Sequence, residues 1–511
     1  MAQPQPLMGI LGAVAGARLV SGTLDGSISA VEHDSRKVIP GTLFIAVPGF
    51  TTDGHQFLPE AIAAGAGAIM VEESRRPIWE VLSLGVPTFV VPDCRVAMSA
   101  AAAWFYRYPS RGMTVVGITG TDGKTTTSHL LTSVLEAAGR KVGRLGTVDT
   151  YMPGASGKVS QRMSTPEAPE VQALLRQMVD AGCDAAIVES TSHGLALHRL
   201  DHVEYDVAMM TNITGDHLDF HQTFEAYREA KAALFAALDA HPAKTSPRTA
   251  IVNLDDPSAN YMLAKTMAPS FTFALDTPAD VTAADVRLTA SGSGFRLMTP
   301  IGQAGVHIGL PARFNVANAL AAAAAGIACG ATVPGIVRGL RESKGVPGRM
   351  ERIEAGQPFE VIVDYAHTGD AVRKVLEVLR SVGSGKLMIV VGAAGDRDPG
   401  RRFGVARAAA EGADFAIFTN EDPRNEDPAA IVREIGRHAE DAGRRRGEDF
   451  IEIEDRREAI REALRRAQPG DIVVVAGKGH EQTIIYGSVA HPWDDRSVTR
   501  EALAELGYGG S

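Results

Sequence analysis

At 511 residues the chain is too long for one hydrophobic core, and at about 150 residues per domain its length predicts three domains. Hydrophobic residues make up 45% and charged residues 22%, an ordinary globular balance, and the formal net charge of −10 argues against a dedicated nucleic-acid binder, whose footprint is normally basic. Any anionic ligand must therefore be held by local Arg and Lys clusters against the overall field.

Cys94, Cys183 and Cys329 are isolated in Ala- and Val-rich surroundings, which makes neither a disulfide framework nor a metal set. They read as buried thiols in a reducing compartment. The apolar stretch Leu7 to Ala17 lacks a basic flank and a clean cleavage site, and the uncharged run between Arg313 and Arg338 is Ala-rich and contains Pro334. A cytoplasmic chain without membrane insertion is expected, with a monomer as the default state.

Residues 1–110 alternate strand-like runs (Thr42–Val47, Gly67–Val71, Thr88–Val91) with short helical patterns (Phe57–Ala64, Val96–Tyr106), which predicts a small α/β domain. It carries Asp34-Ser35-Arg36 and a glycine-bounded loop, Gly49-Phe50-Thr51-Thr52-Asp53-Gly54-His55, readable as a ligand loop or as a plain surface turn. The tract Tyr108-Pro109-Ser110-Arg111-Gly112 has linker composition.

The second domain, 111–346, opens with Val115-Val116-Gly117-Ile118-Thr119 running into Gly120-Thr121-Asp122-Gly123-Lys124-Thr125-Thr126, followed by a helical pattern from about Ser128. Strand, glycine-rich loop and helix form the layout of a phosphate-binding loop. Backbone N–H groups and the helix dipole cradle phosphates, Lys124 supplies a movable charge, and Thr125 offers a hydroxyl to Mg²⁺. Ile118 occupies the place of the usual first glycine, so the loop by itself indicates a nucleoside triphosphate such as ATP, with a Gly-rich turn as the plain alternative.

Helical patterns at Ala168–Ala181 alternate with strands at Ala185–Glu189 and Val207–Thr211, predicting a doubly wound parallel sheet whose ligands gather at the carboxyl ends of the strands. There lie Ser164-Thr165-Pro166, the run Glu189 to Gly194, and the run Thr211 to His221. Glu189, directly after Ile187-Val188, is placed to hold Mg²⁺. The Asp216/His217/Asp219/His221 group either binds a metal or hydrogen-bonds backbone, and both readings stay open. Lys231, on an amphipathic helix, reads from spacing alone as exposed. Ala250 to Pro257 makes a strand ending in polar groups, a β-rich interlude follows from Phe271 to Gly309, and an Ala-rich helix from Asn315 to Gly330 closes the domain.

The third domain, 347–511, follows the Gly345–Arg349 tract. Its strands Phe359–Val363, Lys386–Val391, Phe415–Thr419 and Asp471–Ala476 each discharge into a charged or glycine-rich loop, predicting a Rossmann-like α/β unit. Arg397, Arg401, Arg402 and Arg424 are candidate carboxylate clamps, since the planar guanidinium fork suits bidentate binding.

Taken together, these residues resemble the Mur ligase family of amide-forming enzymes, and within it the branch that adds the third residue of the peptidoglycan stem. The resemblance rests on Gly120–Thr126, on Glu189-Ser190-Thr191-Ser192-His193-Gly194, on Asn212 with Asp216-His217-Leu218-Asp219 and His221, and on Asp364-Tyr365-Ala366-His367. It implies an ATP- and Mg²⁺-dependent ligase acting on small molecules, UDP-MurNAc-L-Ala-D-Glu and a dibasic amino acid. Thr125, Glu189, His217 and Lys231, the last as a carbamate, would bind Mg²⁺, and Lys124 would act on the transferred phosphate. Asn253, Asn318, Arg349 and Asp364 would hold ATP. Ser35, Phe50, Thr51, Thr52, Ser164, Thr165, Thr191, Leu197 and Arg199 would contact the nucleotide-sugar peptide. Arg397, Arg424, Gly477 and Glu481 would hold the amino acid, beside Glu421, Asp422 and Pro423. The motif Asp-Asn-Pro-Arg, tied in the family to meso-diaminopimelate, stands here as Glu421-Asp422-Pro423-Arg424, which leaves two readings open: meso-diaminopimelate, or, through the added negative charge, a purely cationic side chain such as that of lysine or ornithine. A folylpolyglutamate-synthetase-type ligase shares loop and chemistry but not the first-domain segments, and a non-catalytic nucleotide switch needs no amino-acid site.

Overall fold

The computed structural model describes residues 3–82, 84–154, 165–240, 244, 247–289, 291–397 and 400–509. Two compact units divide the chain, one from Met1–Val281 with Ala321–Ile336, the other from Thr282–Leu320 with Val337–Ser511.

The first unit holds two large sheets and the short antiparallel pair Gln5–Pro6 with Ser27–Ile28. A five-stranded sheet runs in the order Arg18–Ser21, Thr88–Val91, Ala68–Glu72, Thr42–Ile45, Ala30–Glu32, parallel except for its antiparallel edge Arg18–Ser21. The adjoining helix Cys94–Phe105 starts at Asp93, whose carboxylate accepts from Arg95 N (2.7 Å) and Val96 N (3.1 Å), satisfying the orphan donors of its first turn. A seven-stranded sheet follows in the order Thr150–Tyr151, Val142–Leu145, Ala185–Glu189, Thr114–Thr119, Val207–Met210, Thr249–Asn253, Ser270–Phe273. It is parallel apart from the antiparallel edge Thr150–Tyr151. Strands buried on both faces read as unbroken apolar runs, which is why Val115-Val116 and Ile187-Val188 were legible as strands. The chain leaves Thr114–Thr119 to one side and returns to the other through Val207–Met210. The loops after these strands and after Ala185–Glu189 therefore meet at the switch point of the sheet.

The second unit is built on a six-stranded sheet in the order Glu351–Arg352, Glu360–Asp364, Ile472–Ala476, Leu387–Val391, Phe415–Phe418, Phe450–Glu452, parallel except for the Glu351–Arg352 edge. Val361, Val363, Val473 and Val475 pack on one face, Ile362, Val474, Ile389 and Val391 on the other, as alternation along a strand requires. The polar interlude forms a three-stranded antiparallel sheet, Thr282–Thr289, Gly292–Thr299, Gly302–Ile308, and a hairpin pairs Thr483–Tyr486 with Val489–Pro492.

Element bounds shift where tertiary context overrides local pattern. The helix expected near Ser128 begins at Lys124, directly after Gly123, because the loop itself winds the Thr-rich segment into the first turn. The Ala-rich helix spans Arg313–Ala328. Asp364 ends its strand instead of following it.

Candidate active site

The phosphate-binding loop is held open by its neighbours before any ligand arrives. Thr121 N donates to the Asn212 carbonyl at 2.8 Å. Asp122 N donates to Asn212 Oδ1 at 2.9 Å, Asn212 Nδ2 donates to the Asp122 carbonyl at 3.1 Å, and Thr211 Oγ1 donates to the same carbonyl at 2.6 Å. Gly120 adopts φ +152, and a Cβ there would drive into Thr211 Oγ1, so glycine is required both for conformation and for closeness. Lys124 Nζ folds back onto the carbonyls of Gly120 (2.7 Å) and Thr121 (2.9 Å).

Glu189 pairs in register with Ile118, which brings its carboxylate beside the start of the loop. It is 1% exposed, and three hydroxyls satisfy it: Thr125 Oγ1 (2.9 Å) and Thr147 Oγ1 (2.8 Å) donate to Oε2, Ser128 Oγ (3.1 Å) to Oε1. Net contributions of about 1.5–3 kcal/mol per hydrogen bond to a charged group would offset its burial. Thr125 and Glu189 together present hard oxygen donors at a helix N-terminus, a donor set suited to Mg²⁺.

Lys231 is buried, not exposed as its helical spacing predicted. Its Nζ donates to the Gly120 carbonyl at 2.6 Å and lies 4.6 Å from the centre of the Tyr227 ring, whose hydroxyl is 2.9 Å from Thr121 Oγ1. Burial pushes the amine down to about 6, and the Lys124 charge adds to the effect. Its amine therefore gives up its proton more readily than that of an exposed lysine. His217 stands at φ +52 with a half-exposed side chain, its ring 4.7 Å from that of His193. His193 in turn packs 5.5 Å from His221. Of the two readings open for Asp216, His217, Asp219 and His221, metal binding gains no support: among the described residues no group of three or more His, Cys, Asp or Glu side chains is placed to hold a metal ion.

The remaining candidates of the first unit fall into separate groups. Thr165 Oγ1 and Thr191 Oγ1 are 2.9 Å apart, and Arg199 pairs with Glu167 (2.5 Å) while donating to the Thr165 carbonyl (3.0 Å). Leu197 is buried beside them in sequence, and Ser164 lies outside the described residues. Phe50, 76% exposed, crowns the loop Gly49–Gly54, with Phe220 edge-on at 5.9 Å and Arg95 over its face at 5.6 Å. Thr51 and Thr52 are on the same exposed turn, and Ser35 Oγ donates to Glu60 (3.3 Å). Asn253 Nδ2 donates to the Thr211 carbonyl at 3.0 Å, tying the next strand end to the loop.

In the second unit Asp364 is buried and accepts from Met350 N and Ala366 N, both at 2.7 Å, with burial raising its carboxyl. Arg349 lies over the Tyr365 ring at 4.8 Å, and Asn318 donates to Asn315 Oδ1 at 3.2 Å. Arg397 is exposed. Arg402 is not a free clamp: Glu426 (2.7 Å) and Glu434 (2.6 Å) engage it. Glu421 is buried with Oε2 unpartnered, and burial pushes it up to about 7. It abuts Gly477, whose φ of +114 and 2.9 Å prospective Cβ contact with Glu421 Oε2 exclude a side chain. Asp422 pairs with buried Lys478 (2.8 Å), Glu481 with the same lysine (2.5 Å), and Arg424 takes φ +53.

Family models match three successive stretches: the Mur ligase family catalytic domain over residues 27–106, the Mur ligase middle domain over 118–326, and the Mur ligase glutamate ligase domain over 348–479. A UDP-N-acetylmuramyl-tripeptide synthetase of Roseiflexus sp. (strain RS-1) is 48% identical over 491 residues, covering 94% of this chain and 96% of the relative. The chain belongs to the Mur ligase family. A UDP-N-acetylmuramoyl-L-alanyl-D-glutamate–2,6-diaminopimelate ligase of Geobacillus thermodenitrificans (strain NG80-2) is 43% identical, with 94% and 95% covered. A solved structure of a ligase of that name superposes with a TM-score of 0.70 at 31% identity, over 99% of this chain and all of the other. The folylpolyglutamate synthase of Mycobacterium tuberculosis, at 19% identity and a TM-score of 0.58, shares the fold alone.

Within this Mur ligase, several groups at the loops escaped the reading of the sequence. Thr147 and Ser128 complete the cage around Glu189, Tyr227 bridges Lys231 and Thr121, and Lys478 bridges Asp422 and Glu481. Lys478 alone had a local signal, a lysine between two glycines at a strand end.

Proposed function

We propose that this Mur ligase joins meso-diaminopimelate, or another dibasic amino acid such as L-lysine or L-ornithine, to UDP-MurNAc-L-Ala-D-Glu at the expense of ATP. The observation that carries the reading is Lys231: a lysine that is 2% exposed, with its Nζ on the Gly120 carbonyl at 2.6 Å beside the Tyr227 ring, stands directly against the glycine-rich loop, and its burial favours the free amine. The free amine would add carbon dioxide, forming an N–C bond and releasing one N–H proton to solvent, to give a carbamate, which turns a neutral buried site into an anionic one. Mg²⁺, when bound, would neutralise charge on the transferring phosphoryl group, held by Thr125 and Glu189 with His217 and the Lys231 carbamate.

The chain's own residues then do the rest. The loop N–H groups and the helix beginning at Lys124 receive the ATP phosphates, and Lys124 leaves the Gly120 and Thr121 carbonyls to follow the γ-phosphate. Asn253, Asn318, Arg349 and Asp364 are assigned to the nucleotide, and Ser35, Phe50–Thr52, Ser164, Thr165, Thr191, Leu197 and Arg199 to the nucleotide-sugar peptide. The D-glutamyl carboxylate attacks the γ-phosphorus, forming an acyl phosphate and releasing ADP. The amine of the incoming amino acid, held by Arg397, Arg424, Gly477 and Glu481, attacks the acyl carbon. The tetrahedral intermediate expels phosphate, leaving the amide. Positioning and fixed charge supply most of such a rate enhancement. No helix among the described residues is long and apolar enough to cross a membrane.

Phosphate release with ATP, Mg²⁺ and UDP-MurNAc-L-Ala-D-Glu, measured with each of the three amino acids in turn, tests the proposal. Release that depends on one of them is expected. Release indifferent to all three contradicts a ligase of this specificity.

A further inference from the structure

The Thr483–Pro492 hairpin is fastened to the loop that carries Arg424 at four points. Arg424 N donates to the Ile485 carbonyl (3.0 Å) and Gly487 N to the Arg424 carbonyl (2.7 Å). Ile485 N donates to Asp422 Oδ1 (2.9 Å), and Asn420 Nδ2 donates to the Tyr486 hydroxyl (2.7 Å). Asp422 Oδ1 accepts a second bond, from Lys478 Nζ at 2.8 Å. Lys478 is 1% exposed and reaches Glu481 on its other side.

Two features show what this fastening does. Arg424 sits at φ +53, where a residue with a Cβ is rare and must be held by its surroundings. Its Nε is buried without a hydrogen-bond partner, so no side-chain bond at that atom fixes where the guanidinium points. The hairpin bonds on both sides of Arg424 hold the backbone from which that side chain departs. Two charge groups of this region are paired, Lys478 with Asp422 and Glu481, and buried Arg456 with Asp495 through bonds of 2.8 and 2.6 Å, while Glu421 keeps Oε2 without a partner. The carboxylate that the sequence presents as surplus negative charge is engaged inside the protein.

We propose that Asp422 is a positioning residue: with the Thr483–Pro492 hairpin and Lys478 it fixes the left-handed backbone of Arg424, and its charge serves Lys478, not the substrate. The inference rests on the reading that Arg424 faces the incoming amino acid. It removes Asp422 as a reason to prefer lysine or ornithine over diaminopimelate.

Two variants test it in the full chain. Tyr486→Phe removes the acceptor of Asn420 at the edge of the site. It is expected to raise the KM for the amino acid about fivefold, the worth of one hydrogen bond, with the KM for ATP unchanged and kcat within about twofold. Deuterium uptake at the Arg424 and Gly487 amides should rise in parallel. Asp422→Asn keeps Oδ1 as an acceptor and loses the charge, so the KM values for meso-diaminopimelate, L-lysine and L-ornithine should rise by one common factor. A reordering of the three amino acids in Asp422→Asn overturns the proposal, as does faster exchange in Tyr486→Phe with an unaltered amino-acid KM. Wild-type protein that releases no phosphate with any amino acid overturns the ligase reading instead. Amide exchange still decides the positioning role in that case, because unchanged uptake in Tyr486→Phe contradicts it.

Discussion

Lys231 and Lys124 donate to the same acceptor, the Gly120 carbonyl, and two cations on one oxygen in a buried site cannot both hold their charge cheaply. The folded chain keeps Lys231 neutral down to about 6, whereas the unfolded chain protonates it below its ordinary 10.5. Between those values the unfolded state binds the extra proton, so the term makes stability rise with pH across that window, being most unfavourable at its lower end. Lys231→Met, melted against wild type in CO₂-free buffer, should therefore gain several degrees in relative Tm at pH 7 and less at pH 9.5. A gap independent of pH would mean that the lysine stays charged in the fold. None of this was legible in the local pattern. The helix Phe224–Ala240 is amphipathic, but only the loop and Tyr227 packed over it decide that position 231 is inside. Glu189 was legible because an acidic residue directly after an apolar strand is unusual, while the Thr147 and Ser128 hydroxyls around it come from other elements and carry no such mark.

At the scale of elements, the phosphate loop is a strand end and a helix start joined by a turn that Asn212 splints. The Asn212 side chain makes two hydrogen bonds to the Asp122 backbone, each worth about 1 kcal/mol net. Asn212→Ala should raise the KM for ATP by about 10- to 30-fold while the amino-acid KM stays within about twofold, as initial-rate kinetics would show. An equal loss on both substrates would place the effect on global stability instead. The strands and the loop were readable because β-branched runs ending in glycine leave few alternatives. The start of the helix was misread by four residues, since Lys124 to Thr127 carry poor helix formers whose winding is set by the turn before them. The role of the Thr483–Pro492 hairpin was invisible for the opposite reason. Its two strands are only four residues each and largely exposed, and only their register against Arg424 gives them meaning.

Across the whole molecule, the sequence carried the α/β class, the parallel sheets and the loops that meet at their carboxyl ends, because those follow from apolar runs and glycine punctuation. It did not carry which charges are free. Arg402, Asp364 and Asp422 all looked available and are engaged by Glu426 and Glu434, by backbone amides and by Lys478. Pairing of this kind depends on contacts far apart in the chain, as the 56-residue separation of Asp422 and Lys478 illustrates. Among the described residues one unit keeps a glycine-rich loop with a buried lysine whose amine is favoured as neutral, and the other keeps Arg424 with Nε unpartnered, as are those of Arg349 and Arg402. That inventory fits a reaction in which a carboxylate is first phosphorylated and then captured by an amine. The mechanism fixes the path of one oxygen atom: the bond broken when phosphate leaves is the one between the acyl carbon and an oxygen of the original carboxylate. The decisive measurement is therefore a single-turnover reaction with the D-glutamyl side-chain carboxylate labelled with oxygen-18. One labelled oxygen in each released phosphate is the predicted result; phosphate that carries only solvent or ATP oxygen would contradict the acyl phosphate and the account built on it.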